Sequence, residues 1–129
     1  MRIAMTGATG YLGAHTVHAL VAAGHHVHLL VPRAEANSPV VADLQALGPV
    51  TVSVGDLRRD SALDALLGDA DALLHAAGVV GTDERRAQLM WDINAHATER
   101  ILTRAVADGL DPVVSVSSYA ALFPPPDGV

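Results

Sequence analysis

Glycines at positions 7, 10 and 13, in the run Thr6-Gly-Ala-Thr-Gly-Tyr-Leu-Gly13, have the clearest chemical purpose in the chain. They follow a short aliphatic run, Arg2 to Met5, and open a stretch with helical spacing. In that position Gly7 permits a tight turn, Gly10 leaves space for a pyrophosphate against the backbone, and Gly13 lets the helix lie close to a sheet. The amides of Tyr11 and Leu12 then point at the phosphates, with the helix dipole behind them. Such a glycine triplet is weak evidence alone; the order strand, loop, helix is the context the chemistry needs.

Other reactive groups form less convincing sets. Ser117 or Ser118 with His75 and Asp56 can be drawn as a hydrolytic triad. The G-x-S-x-G turn that exposes such a nucleophile is missing, however. Seven histidines invite a metal reading. Zinc needs three or four converging ligands, and nothing brings His15 and His18 towards His25, His26 and His28, so no metal is expected. With no Cys there are no disulfides, thiol catalysis or Cys-ligated metals. All eight basic residues are Arg, so no step that requires a lysine is available within these 129 residues.

The elements that must position these groups alternate. Strands are expected at Arg2–Met5, Val27–Val31, Val50–Val54, Ala72–His75 and Val113–Val116. Between them come helices at Ala14–Ala23, Val40–Leu47, Ala62–Leu67 (capped by Asp60 or Ser61) and a long one at Glu84–Ala107. Phe123-Pro-Pro-Pro-Asp-Gly-Val129 reads as a loop. Strands alternating with helices, nearly all aliphatic, predict an α/β fold with a parallel sheet covered on both faces. Half of the residues are hydrophobic but only 3% are aromatic, so the core is built from small side chains. The length supports one domain. A net charge of −6 without a basic block excludes a nucleic-acid partner. No apolar run approaches the ~20 residues that span a bilayer, and glycine arrives too soon for a signal peptide, so no membrane partner and a cytoplasmic location are expected.

Taken together, these motifs resemble the N-terminal part of an extended short-chain dehydrogenase/reductase, of the epimerase/dehydratase-like group, over nearly the whole chain. The resemblance implies a doubly wound Rossmann fold with strand order 3-2-1-4-5 and a nicotinamide cofactor. It assigns Asp56 and Leu57 to the adenine, and the small residues Ala76, Ala77 and Gly78 to the ribose and nicotinamide. It makes Asn94 the residue that steadies the fourth and fifth strands around the site. Ser117 then lies near the nicotinamide, and Ser118 is the catalytic serine that bonds the reacting carbonyl or hydroxyl of a small-molecule substrate. The helix near Trp91 is implied in a homodimer.

Relatives that use NAD carry an acid at the end of the second strand. Here that end reads Leu29-Leu-Val31-Pro32-Arg33-Ala-Glu35, with no acid at the expected place and Arg33, suited to a 2′-phosphate, close by, so NADP is expected over NAD; Arg58 and Arg59 are alternative phosphate partners. The family's Tyr-x-x-x-Lys pair is not in the sequence: Tyr119 is followed four residues on by Phe123. The chain is therefore expected to be the cofactor-binding part of a longer oxidoreductase, epimerase or dehydratase, inactive alone. A non-catalytic NAD(P)-binding sensor and a subunit completed by a partner are the alternatives. In either arrangement the fifth strand is an uncharged aliphatic edge, expected to pair with another chain or to stand open.

Overall fold

The computed structural model describes residues 1–122; the loop expected at 123–129 lies outside them. Five strands, β1 (Arg2–Thr6), β2 (His26–Val31), β3 (Val50–Val54), β4 (Ala72–His75) and β5 (Val113–Ser115), form one parallel sheet. Their order is β3-β2-β1-β4-β5, as the motifs imply. The order reverses direction at β1 and β4, so a crevice opens beyond the carboxyl ends of those strands. β5 is the outermost strand, and Val114 within it and Val116 just after it are exposed.

Alternating side chains on each strand feed two cores. Met5, Leu29 and Val31 face α1 (Tyr11–Ala22) and α2 (Pro39–Gln45), where they meet Val17, Val41 and Leu44. Ala4, Leu30 and Leu73 face α3 (Asp60–Leu67) and α5 (Thr98–Ala107), where they meet Leu63, Leu66 and Ile101. Each fully buried Leu or Ile contributes roughly 1.5–3 kcal/mol, which compensates for the lack of aromatics.

Local chemistry moves several boundaries from the sequence expectation. α1 begins at Tyr11, directly behind Gly10, rather than at Ala14. It ends as expected at Gly24 (φ +87°), where Gly24 N–H donates to Val21 and His25 N–H to Leu20. α2 starts at Pro39 because the Ser38 hydroxyl accepts from the Val41 amide. The cap expected from Asp60 or Ser61 does not form: α3 is entered from Arg59, with Asp60 already in its first turn.

The long helix is the largest departure. It is split into a 3-10 turn (Glu84–Arg86), α4 (Ala87–Trp91), a π-helical turn (Asp92–Ala97) and α5. Trp91 on α4 is 60% exposed and lies edge-on to His96.

Candidate functional site

A cleft of about 900 Å³ lies at the carboxyl ends of the strands. Its walls come from the end of β1 and the turn after it (Thr6, Gly7, Thr9, Gly10), the turn after β2 (Pro32, Arg33, Glu35), the turn after β3 (Gly55 to Arg58) and the turn after β4 (Ala76 to Val79). Leu89 and Ile93 of the long helix close one side.

The three glycines do different work. Gly7 has φ +75°, and a Cβ there would lie 2.4 Å from the Ala76 carbonyl carbon, so the first turn packs directly on the backbone after β4. A Cβ on Gly13 would lie 2.0 Å from the Gly7 carbonyl oxygen. Gly13 thus lets the helix close on the loop that leaves β1. At Gly10 the nearest protein atom to such a Cβ is the Gly7 oxygen, at 3.5 Å, an ordinary contact. The fold leaves position 10 free to carry a side chain, yet it carries none. No side chain caps α1, so Tyr11 and Leu12 contribute first-turn amides without an intrahelical partner.

Beneath the cleft runs a closed chain of hydrogen bonds. The Ala77 amide donates to Thr6 Oγ1 (3.2 Å), Thr6 Oγ1 meets His75 Nδ1 (2.7 Å), and His75 Nε2 meets Thr98 Oγ1 (2.8 Å). The Thr98 hydroxyl donates to the Ile93 carbonyl (3.3 Å). One proton assignment satisfies every member: Thr6 donates to Nδ1, and the imidazole is neutral with its proton on Nε2. The Ile93 carbonyl is five residues before Thr98, within reach because the helix is π-wound there. The same turn presents Asn94, whose amide accepts from the Val79 N–H and donates to the Val79 carbonyl, both at 2.8 Å. Two elements far apart in sequence therefore fix the backbone from Ala76 to Val79.

Burial pushes His75 down to about 4 from an ordinary value of 6.5. The unfolded chain takes up this proton first, so the stability His75 contributes is complete above about pH 6.5 and falls as the pH drops towards 4. The shift corresponds to about 3 kcal/mol. Urea midpoints measured at pH 7.5 and 4.5 are expected to diverge less in His75→Leu than in the parent chain. An unchanged divergence would remove His75 as the titrating group.

The structure gathers Gly7, Gly10, Arg33, Asp56, Leu57, Ala76, Ala77 and Gly78 around the cleft. Gly13 and Asn94 stand behind it as supports. Tyr11 and Leu12 are exposed at its edge, and Ser117 and Ser118 are exposed beyond β5 and do not line it. The Ser118 hydroxyl accepts from the Ala120 amide. Asp56 receives the Arg58 side chain at both oxygens (2.8–3.2 Å) and the Arg58 amide at Oδ1 (2.9 Å). Chiefly through that side-chain bond, Arg58 holds the carboxyl below the usual range. With His75 bonded to two threonines and Asp56 to an arginine, the triad drawn from sequence does not form. The other histidines are dispersed: His28 meets Ser53, and His15 meets the Tyr11 carbonyl.

Sequence reasoning missed Thr9, Glu35 and Thr98. Glu35 lies beyond the strand end where an acid carries a signal, and its neighbour in space, Thr9, is 26 residues away.

A profile of the NAD dependent epimerase/dehydratase family matches residues 3–129. The chain belongs to that family. Sterol demethylase protein B from Methylococcus capsulatus is 36% identical over 131 residues, covering 99% of this chain and 38% of that protein. A UDP-glucose 4-epimerase from Klebsiella pneumoniae is 27% identical, over 92% of this chain and 89% of that protein. Among solved structures, a short-chain dehydrogenase/reductase superfamily protein from Agrobacterium tumefaciens, with NAD bound, is 25% identical. It superposes with a TM-score of 0.75 over 92% of this chain and 33% of its own. The chain thus spans about a third of the length of that structure and under two fifths of the sterol demethylase protein. Among the described residues, no helix is long and apolar enough to cross a membrane.

Proposed function

We propose that this chain is the dinucleotide-binding part of an NADP-using oxidoreductase, epimerase or dehydratase. The observation that carries the reading is Gly10: its missing side chain leaves space that faces the cleft and that no protein atom needs. In this assignment the pyrophosphate lies over Gly10 and is met by the amides of Tyr11 and Leu12. Asp56 and Leu57 hold the adenine. Ala76, Ala77 and Gly78, kept in place by the His75 chain and by Asn94, form the floor for the nicotinamide half. Ser117 and Ser118, which lie beyond β5 outside the cleft wall, are assigned to the nicotinamide end by the family resemblance, with Ser118 for the reacting oxygen of a carbonyl or alcohol substrate. Bound, the cofactor supplies hydride transfer.

Arg33 supports NADP over NAD. Five of the eight arginines hold a carboxylate, and Arg58, the other arginine in the cleft, is one of them. Among the described residues the Arg33 guanidinium has no hydrogen-bond or ion-pair partner, so its planar fork is available to a 2′-phosphate. Fluorescence titration of the chain is expected to give tighter binding of NADPH than of NADH. Arg33→Ala should cost NADPH about 1.5–3 kcal/mol, the range for hydrogen bonds to a charged group, and leave NADH unchanged. A preference for NADH that Arg33→Ala does not alter overturns the assignment.

A further inference from the structure

Arg33 and Glu35 share one 3-10 turn and one wall of the cleft, two residues apart. Elsewhere in this molecule that separation closes into an ion pair. Asp56 and Arg58 meet at 2.8 Å, and Asp83 and Arg85 at 2.9 Å. Arg33 and Glu35 carry the same two charges in reverse order and do not meet. The Glu35 carboxylate is taken instead by the hydroxyl of Thr9, which reaches across from the glycine loop and donates to Oε2.

We propose that the Thr9–Glu35 hydrogen bond sets cofactor specificity by keeping Glu35 off Arg33. The inference rests on the assignment of Arg33 to the 2′-phosphate and adds two residues that no part of that assignment uses. The physical case is a competition. An arginine next to a carboxylate two residues away has a built-in counter-ion, and a 2′-phosphate must displace it. By accepting from Thr9, Glu35 has its charge solvated at a fixed place against the glycine loop, and the Arg33 side chain stays unpaired. Were Thr9 unable to donate, the nearest competing donor on the same turn would be the Arg33 guanidinium. NADH lacks the phosphate, so its affinity is insensitive to this exchange. Thr9 and Glu35 are therefore specificity-determining through Arg33, without a role in catalysis.

The test is a set of NADPH and NADH titrations on the 129-residue chain at low ionic strength. Thr9→Val removes the donor at nearly constant shape. It is expected to weaken NADPH about three- to fivefold, the size of an exposed ion pair that must be broken, with NADH unchanged. Thr9→Ser keeps the donor and should match the parent. The decisive variant is the double change Thr9→Val with Glu35→Gln, which has no acid left to pair and should recover parental NADPH binding. Glu35→Gln alone, which stands if Thr9→Val does not fold, should bind NADPH at least as tightly as the parent and NADH equally. Equal weakening of both cofactors by Thr9→Val would make Thr9 a pyrophosphate contact. Weaker NADH binding in Glu35→Gln would make Glu35 a reader of the ribose hydroxyls. Either result, or a double variant that does not recover, overturns the proposal. Failure of the underlying reading looks different: the parent chain itself then shows no NADPH preference, or one indifferent to Arg33→Ala, and the proposal falls with it.

Discussion

Valine at position 10 is expected to leave the chain folded and to abolish cofactor binding. Gly10 has φ −77° and ψ 167°, extended backbone that a β-branched residue accepts readily. Its added Cβ makes one contact within 4 Å, at 3.5 Å to the Gly7 oxygen. The fold therefore loses little, on the order of the ±0.5 kcal/mol typical of surface changes. The two methyl groups, however, project over the loop where the diphosphate has to approach the amides of α1. Far-ultraviolet circular dichroism should match the parent while NADPH and NADH titrations show no saturation. Micromolar binding retained in a natively folded Gly10→Val chain would place the phosphates somewhere other than this loop.

The same experiment three residues on should give the opposite result. Alanine is the better helix former by about 1 kcal/mol, so Gly13→Ala in a solvated helix would stabilise. Here its Cβ would fall 2.0 Å from the Gly7 oxygen, 2.7 Å from the Gly7 carbonyl carbon and 2.8 Å from the Ala8 Cα. All three are backbone atoms, so no rotamer change relieves the overlap. The turn at Gly7 is itself pinned on Ala76, and the strain has nowhere to go. The loss should exceed about 4 kcal/mol, a large share of the stability of an ordinary domain. Gly13→Ala should show a collapsed or strongly lowered urea midpoint, and a midpoint equal to the parent's would mean that helix and loop are not packed as described.

These two glycines also show what the sequence revealed and what it withheld. Spacing within one loop located the cleft, and period and punctuation located every strand within one or two residues, because each depends on neighbours in the chain. Partners did not follow from spacing. Spacing does not show that the atoms nearest Gly13 belong to Gly7 and Ala8. Glu35 and Thr9 meet only because β2 lies beside β1. The Thr6, His75 and Thr98 chain joins three elements with no local pattern to announce it. The expected continuous helix over Glu84–Ala107 failed for a related reason. Nothing in its apolar spacing announces a π turn, whose counterparts, Val79 for Asn94 and His75 for Thr98, lie far away in sequence.

That π turn makes the long helix deliberately out of phase with itself. Each α-helical residue advances by about 100°, so a turn that holds one residue more than usual rotates everything upstream of it by about that angle relative to everything downstream. Ile101 and Ala105 look into the core, while Leu89 and Ile93 look into the cleft. Deleting a single residue between 92 and 97 would give a more regular helix that still buries Ile101 and Ala105. It would swing Leu89 off the cleft wall and take the amide of Asn94 from Val79. Regularity and function are in opposition along this helix: a redesign that idealised it would gain a standard hydrogen-bond ladder and aim the wrong face at the site.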